Sequence, residues 1–182
     1  ALKIVDFIEE AGIVYNSHTP NTTVGPENNI FATARPTNGS FVELDYADDK
    51  GFSILTSENL ELCVLNNGTT RIFSSPMQTL PTANNAYINF SDFNTRPTLD
   101  FDALPLGEFY LGYRFGCADL KYGWLRVEKV TTPCSQIIVK DMAYNANANY
   151  TISIGNVGNA TLVFEESIMR ESISTANNFN PI

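Results

Sequence analysis

Three β-rich runs joined by short links, between Phe109 and Asn145, constrain the fold of this chain more than any other feature. The runs read FYLGYRFG, YGWLRVEKV and IIVKDMAYN, and the links read CADLK and TTPCSQ. Tyr, Val, Ile and Trp favour strands, and links this short force consecutive strands to lie antiparallel. The segment therefore predicts a three-stranded meander.

Other strand patterns lie on both sides of the meander. In FVELDY, Phe41, Glu43 and Asp45 alternate with apolar residues that would form the opposite face. The runs FSILTS, LELCVLNNGTTRIF and AYINF follow as predicted strands, with a tight turn at Asn67–Gly68. YTISIG and ATLVFEES read as a last strand pair. About ten short strands with almost no helix predict an all-β fold, an antiparallel β-sandwich or jelly roll.

The 182 residues suit one domain with extended ends. Residues 1–29 read as an apolar arm followed by a loop from Asn16 to Asn29, residues 30–165 as the sandwich, and residues 166–182 as a tail. An apolar end of this kind fits an edge strand or an arm that reaches a neighbouring molecule. The candidate assembly residues of the arm are Leu2, Ile4, Val5 and Ile8.

Charge and composition exclude several classes of function. The chain carries 11 basic and 20 acidic residues, a net charge of −9, and its basic residues are scattered singly. Nucleic-acid binding needs a basic stripe, and anionic membranes repel an acidic protein, so we expect neither partner. No apolar run reaches the roughly 18 residues of a membrane span, so we expect no membrane insertion. Only 17% of residues are charged, and a polar surface built from Asn, Thr and Ser is typical of secreted β proteins.

Three cysteines, Cys63, Cys117 and Cys134, allow one disulfide or none. Cys117 and Cys134 would lie at opposite ends of the middle meander strand, about 26 Å apart for eight residues. A disulfide needs Cα atoms within about 7 Å, so this pair is disfavoured and any bridge should include Cys63. The alternative is that all three are free thiols.

The meander also resembles a segment of secreted bacterial proteins that leave the cell through the type IX secretion pathway. The matching residues are Tyr110, Leu111, Gly112, Arg114, Phe115, Tyr122, Gly123, Trp124, Arg126, Asp141, Ala143, Tyr144 and Asn145. GIVYN and LDYADDKGFSI are similar to weaker forms of two further family segments. The resemblance implies a β-sandwich, export, and attachment to or release from the cell surface, and it implies no enzymatic activity.

Asp45, Asp48 and Asp49 form a candidate calcium site, since calcium takes carboxylate and carbonyl oxygens from short loops. Against it, Ala47 and Lys50 stand where a full calcium loop has an acidic residue and a glycine. The alternative is a solvated turn, and no other cofactor is expected.

Two further candidates concern sugars. Glu43, Asp45 and Asp48 resemble the E-x-D-x-x-E catalytic strand of laminarinase-like glycosidases, although Asp48 is shorter than the Glu of that motif. Trp124 with nearby tyrosines, Tyr110, Tyr113 and Tyr122, would suit a stacking platform, but a central strand favours a core position for the indole. Arg114 and Arg126 are expected to pair with Glu128 or Asp141 across strands.

The sequence therefore favours a secreted, non-catalytic surface or structural domain that acts through protein–protein contacts. Its partners would be copies of itself, as in an extracellular filament or layer, or other surface proteins, as in adhesion. The alternative is a glycan-binding module, with or without calcium, and a jelly-roll glycosidase is the weaker third reading.

Overall fold

The computed structural model describes residues 11–65, 68–74, 78–80, 87–95 and 97–158. Its ten strands are β1 (Ile13–Val24), β2 (Phe31–Thr37), β3 (Ser40–Ala47), β4 (Gly51–Thr56), β5 (Leu60–Cys63), β6 (Ile72–Phe73), β7 (Tyr87–Asn89), β8 (Gly107–Phe115), β9 (Lys121–Val130) and β10 (Gln136–Asn145). Two single-turn 3-10 helices, Phe93–Thr95 and Phe101–Ala103, lie between β7 and β8. No helix among the described residues is long and apolar enough to span a membrane.

The strands form two packed antiparallel sheets, which confirms the predicted β-sandwich. The large sheet has seven strands in the order β1-β10-β9-β8-β5-β7, with β6 also paired to β8. The small sheet has the order β2-β3-β4. The predicted meander is confirmed as β8, β9 and β10, in a register that places Trp124 opposite Gly112 and Ala143.

The large sheet is buried on both faces in its central strands. One face packs against the small sheet through residues such as Phe109, Leu125 and Ile137. The other face holds a second core, whose buried members are Cys63, Phe73, Leu80, Tyr87, Tyr110, Tyr122, Trp124, Ala143, Ile152 and Ile154. Burial on both faces explains why β8 is buried from Phe109 to Phe115 without alternation.

A β-bulge in β10 separates two groups of charged side chains on the meander. The pairing register shifts between Val139 and Asp141, which leaves Lys140 as the extra residue. Asp141 then accepts a hydrogen bond from Arg126 Nε at 2.7 Å. Lys140 Nζ lies 3.0 Å from Glu108 and 3.1 Å from Glu128. The expected cross-strand pairing of Arg126 is confirmed.

The loop predicted from Asn16 to Asn29 is wrong over most of its length. Residues 13–24 form β1, a 12-residue edge strand paired with β10. The pairing breaks between Ser17 and Thr22, close to Pro20, which has no backbone N–H to donate. The polar composition and the proline of this segment predicted a loop, but pairing with β10 holds it as a strand.

The strand predicted for YTISIG is also wrong. Apart from one isolated bridge between Ser153 and Thr79, residues 150–155 have no strand pairing. Ile152 and Ile154 alternate because both are buried in the second core. The partner run ATLVFEES and the tail from 166 to 182 lie outside the described residues.

All three cysteines are free thiols. Cys117 and Cys134 lie in the links at the two ends of β9, which confirms that they do not bridge. Cys63 is buried at the end of β5, and burial raises the pKa of its thiol.

Candidate interaction surface

The outward face of the small sheet forms the candidate interaction surface. Alternation in β2 and β3 buries Ala32, Ala34, Val42 and Leu44 against the large sheet. The outward side chains, as the register aligns them, are Phe31, Thr33 and Arg35 of β2, Phe41, Glu43 and Asp45 of β3, and Leu55 of β4. Ser53 of β4 lies in the same row but is buried. The predicted alternation of FVELDY is confirmed, and it places two acidic groups on this surface.

An open hollow of about 410 Å³ lies on this surface near the β3–β4 turn. Its lining residues are Ile30, Glu43, Asp45, Tyr46, Ala47, Asp49, Lys50, Ser53 and Phe93. Ile30 is 65% exposed and Phe93 is 69% exposed, and Phe31 on the neighbouring edge strand is 52% exposed. Large apolar side chains grouped around a hollow with a charged rim are typical of a protein interaction site.

Polar contacts order part of this surface. Thr33 Oγ1 donates a hydrogen bond to Glu43 Oε2 at 3.2 Å. The Arg35 guanidinium lies over the Phe41 ring, 5.2 Å from its centroid. Such contacts hold side chains in place before any partner binds, which lowers the entropic cost of association.

The candidate calcium residues do not converge on one point. Asp45 lies in β3, whereas Asp48 and Asp49 belong to the turn between β3 and β4. Asp45 and Asp49 line the hollow, and Asp48 is exposed. Within the described residues, no three His, Cys, Asp or Glu side chains are grouped so as to hold a metal ion. Calcium binding by these residues stays a prediction, with a solvated turn as its alternative.

The candidate glycosidase residues are divided in the same way. Glu43 and Asp45 are neighbours on one face of β3, whereas Asp48 belongs to the turn beyond the strand. Glu43 accepts a hydrogen bond from Thr33, and this contact can orient the carboxylate whether or not Glu43 is catalytic. A catalytic role for these carboxylates stays a hypothesis.

The tryptophan platform is absent from the surface. Trp124 is 1% exposed, its Nε1 donates to the Asn156 carbonyl at 3.0 Å, and Tyr110 packs against it edge to face. Tyr113 and Tyr122 are buried as well. The favoured core position of Trp124 is confirmed. Arg114 forms its ion pair with Glu61 of β5, so its expected pairing with Glu128 or Asp141 is wrong.

Sequence reasoning missed a second hollow, an open groove of about 910 Å³ between the start of β4 and the link that joins β9 to β10. Tyr46, Phe52 and Phe101 form an aromatic wall, with Phe52 5.0 Å from each of the other two rings. Asp100 and Asp102 lie on its rim. The available signal was the long Pro-containing connection from 91 to 108, because long ordered connections are often functional.

The assembly residues predicted in the N-terminal arm, Leu2, Ile4, Val5 and Ile8, lie outside the described residues. No protein-family model matches the chain, and comparisons with curated proteins and with solved structures gave no significant match.

Proposed function

We propose that this chain is an exported, non-catalytic surface or structural domain that acts through protein–protein contacts, chiefly between copies of itself. The observation that carries the proposal is the candidate interaction surface, where Ile30, Phe31 and Phe93 are each more than half exposed. An exposed apolar side chain costs solubility unless it contributes to binding, and grouped exposure marks interfaces. The likeness of the meander to exported bacterial proteins supports the location outside the cell.

Sedimentation velocity over a wide concentration range tests self-association. We expect the weight-average sedimentation coefficient to rise with concentration, and the Phe31→Ser variant to flatten that rise. Leu106→Ser is the matched control, because Leu106 is 73% exposed but lies at the start of the meander, away from the hollow. A chain that stays monomeric at every concentration would overturn self-assembly.

Glycan binding is a second candidate function, favoured by the groove rather than by the outward face. A groove of about 910 Å³ is large enough for a short oligosaccharide. Its aromatic wall can pack against the apolar side of a sugar ring, while Asp100, Asp102 and Ser135 can accept hydrogen bonds from hydroxyl groups. A glycan array with and without a calcium chelator tests it, and no binding in either condition would exclude it.

A further inference from the structure

The free edge of the small sheet belongs to β2, which pairs only with β3 among the described strands. Tyr46 N donates to the Ile30 carbonyl at 2.8 Å, so the backbone groups of Ile30 point toward β3. Antiparallel strands alternate between residues whose N–H and C=O face the partner and residues whose groups face away. Phe31 and Thr33 therefore present their N–H and C=O groups to the free edge, and Arg35 follows at the start of the irregular register.

The outward side chains of β2 complement themselves when the strand is reversed. In an antiparallel pair of two β2 strands centred on Thr33, Phe31 of one copy lies opposite Arg35 of the other. The pairing occurs twice because a two-fold axis relates the copies. A guanidinium next to an aromatic ring is attractive, and Thr–Thr pairs favour strand contact. Phe31 and Arg35 are both exposed, so neither has to leave a core.

The other sheet edges are less suited to strand addition. β1 is interrupted by the irregular pairing between Ser17 and Thr22, and β7 has three residues. The outer edge of β4 is covered, since Ile54 N donates to the Pro97 carbonyl and Leu99 N donates to the Phe52 carbonyl. Within the described part of the chain, β2 keeps a regular register from Phe31 to Ala34, and no strand or connecting segment pairs with its outer edge.

We propose that two copies of this chain associate through antiparallel pairing of β2 with β2 about Thr33, which joins their small sheets into one six-stranded sheet. This proposal rests on the proposed function, because it names the contact through which the domain binds a second copy. The edge is short, so the ladder covers about five residues per copy, and Pro36 and the irregular register after Ala34 limit its extension.

A symmetric disulfide tests the register directly. In a Cys117→Ser/Cys134→Ser background, which leaves only the buried Cys63, Thr33→Cys is expected to give a covalent dimer under mild oxidation. Residues paired on the two-fold axis have Cα atoms about 5.5 Å apart, within reach of a disulfide. Thr37→Cys is the matched control in the same strand, since its mate in the second copy would lie about 26 Å away.

Introducing a like charge, and then restoring an opposite charge, tests the Phe31–Arg35 contact. Phe31→Arg places two arginines opposite each other at both ends of the paired strands, and we expect at least about fivefold weaker association by sedimentation. Adding Arg35→Glu to that variant converts the clash into two ion pairs and should recover most of the lost affinity. Circular dichroism confirms that each variant is folded.

The outcomes separate this proposal from the proposed function. Association with no more cross-linking by Thr33→Cys than by Thr37→Cys would overturn β2 pairing and leave self-assembly through another surface. Loss of association on deletion of residues 1–10, with no β2 cross-link, would assign the contact to the N-terminal arm instead. A monomer at every concentration without cross-linking would overturn both.

Discussion

Lys129 is a buried cation that fixes the loop bordering the groove. Its Nζ donates to the carbonyl oxygens of Phe101 at 2.7 Å and Leu104 at 3.0 Å, and it lies 4.6 Å from the centre of the Phe101 ring. The residue is 8% exposed. A charged group is buried at this position because several carbonyls replace its water.

Replacing Lys129 with Met keeps the apolar stem and removes the donors. We expect the free energy of unfolding to fall by about 2–3 kcal/mol, since hydrogen bonds from a charged donor are lost and buried carbonyls lose their partner. Lys121→Met, at the half-buried start of the same strand, should change it by less than about 0.5 kcal/mol. Urea unfolding measures both, and equal losses would contradict the role of Lys129.

Tyr15 links stability to alkaline pH. Its hydroxyl donates to Asp141 Oδ2 at 2.6 Å, and burial together with this contact raises the pKa of Tyr15 from 10.0 to about 12. When the pKa of a group is higher in the folded state than in the unfolded state, its contribution to stability is fully present below the unfolded-state pKa. That contribution is lost as the pH rises through the folded-state pKa. The window for Tyr15 is therefore about pH 10 to 12.

We expect the free energy of unfolding to decline between pH 10 and pH 12, and to decline less steeply in Tyr15→Phe. Phe keeps a ring beside Trp124 but has no group that titrates. The variant retains some slope, because burial also raises the pKa values of Tyr87 and Tyr113. Urea unfolding at several pH values measures both slopes, and identical slopes would show that Tyr15 does not contribute.

At the scale of the strand, Gly123 lets β9 pass closely over Tyr113 of β8. A Cβ at this position would meet the Tyr113 ring and lie 2.5 Å from its hydroxyl oxygen and 2.6 Å from the Ala143 carbonyl oxygen. The same hydroxyl donates to that carbonyl at 3.2 Å inside the core. The glycine thus makes room for a buried hydrogen bond.

Gly123→Ala should lower the free energy of unfolding by about 1–3 kcal/mol, the usual cost of overpacking a core. Gly39→Ala is the control, because a Cβ there would meet nothing within 4 Å. We expect that variant to stay within about 0.5 kcal/mol of the parent in thermal or urea unfolding. If Gly123→Ala left the free energy of unfolding unchanged, the close contact between β9 and Tyr113 would not contribute to stability.

Sequence patterns predicted the elements whose periodicity depends on one buried face. β3 alternates cleanly because it covers a core on one side, and the meander is marked by its short links and aromatic residues. The apolar alternation of Ile152 and Ile154 misled, because a segment without strand pairing can bury every second side chain against Trp124. Pairing depends on neighbours distant in the chain, which a local pattern does not contain.

The candidate interaction surface could be predicted only in part. Glu43 and Asp45 were placed on one outward face from alternation alone. Ile30 and Phe93 were not, because their exposure beside the same hollow depends on tertiary structure. Ile30 lies where the chain enters β2, and Phe93 lies in the segment 90–99 that runs along the outer edge of β4. Exposure of an isolated apolar residue is set by tertiary packing rather than by its sequence neighbours.

The three thiols report how the two cores of the sandwich open. Cys117 is exposed in the link before β9, Cys134 is half-buried in the link after it, and Cys63 is buried in the second core beside Tyr87. Thiol reagents attack the thiolate, so exposure and a low pKa both speed labelling. We expect Cys117 to react first, Cys134 next, and Cys63 last.

The rate at Cys63 distinguishes two ways of unfolding. If the second core opens only when the whole sandwich unfolds, Cys63 should be labelled in proportion to the globally unfolded fraction, and urea should speed it accordingly. Peptide mapping by mass spectrometry, with circular dichroism in parallel, measures both quantities. If Cys63 reacts as fast as Cys134 in native buffer, the segments that cover the second core would open locally. The core between the two sheets would then be more stable than the second core. Strands of the small sheet cover the first core, whereas segments without strand pairing cover the second.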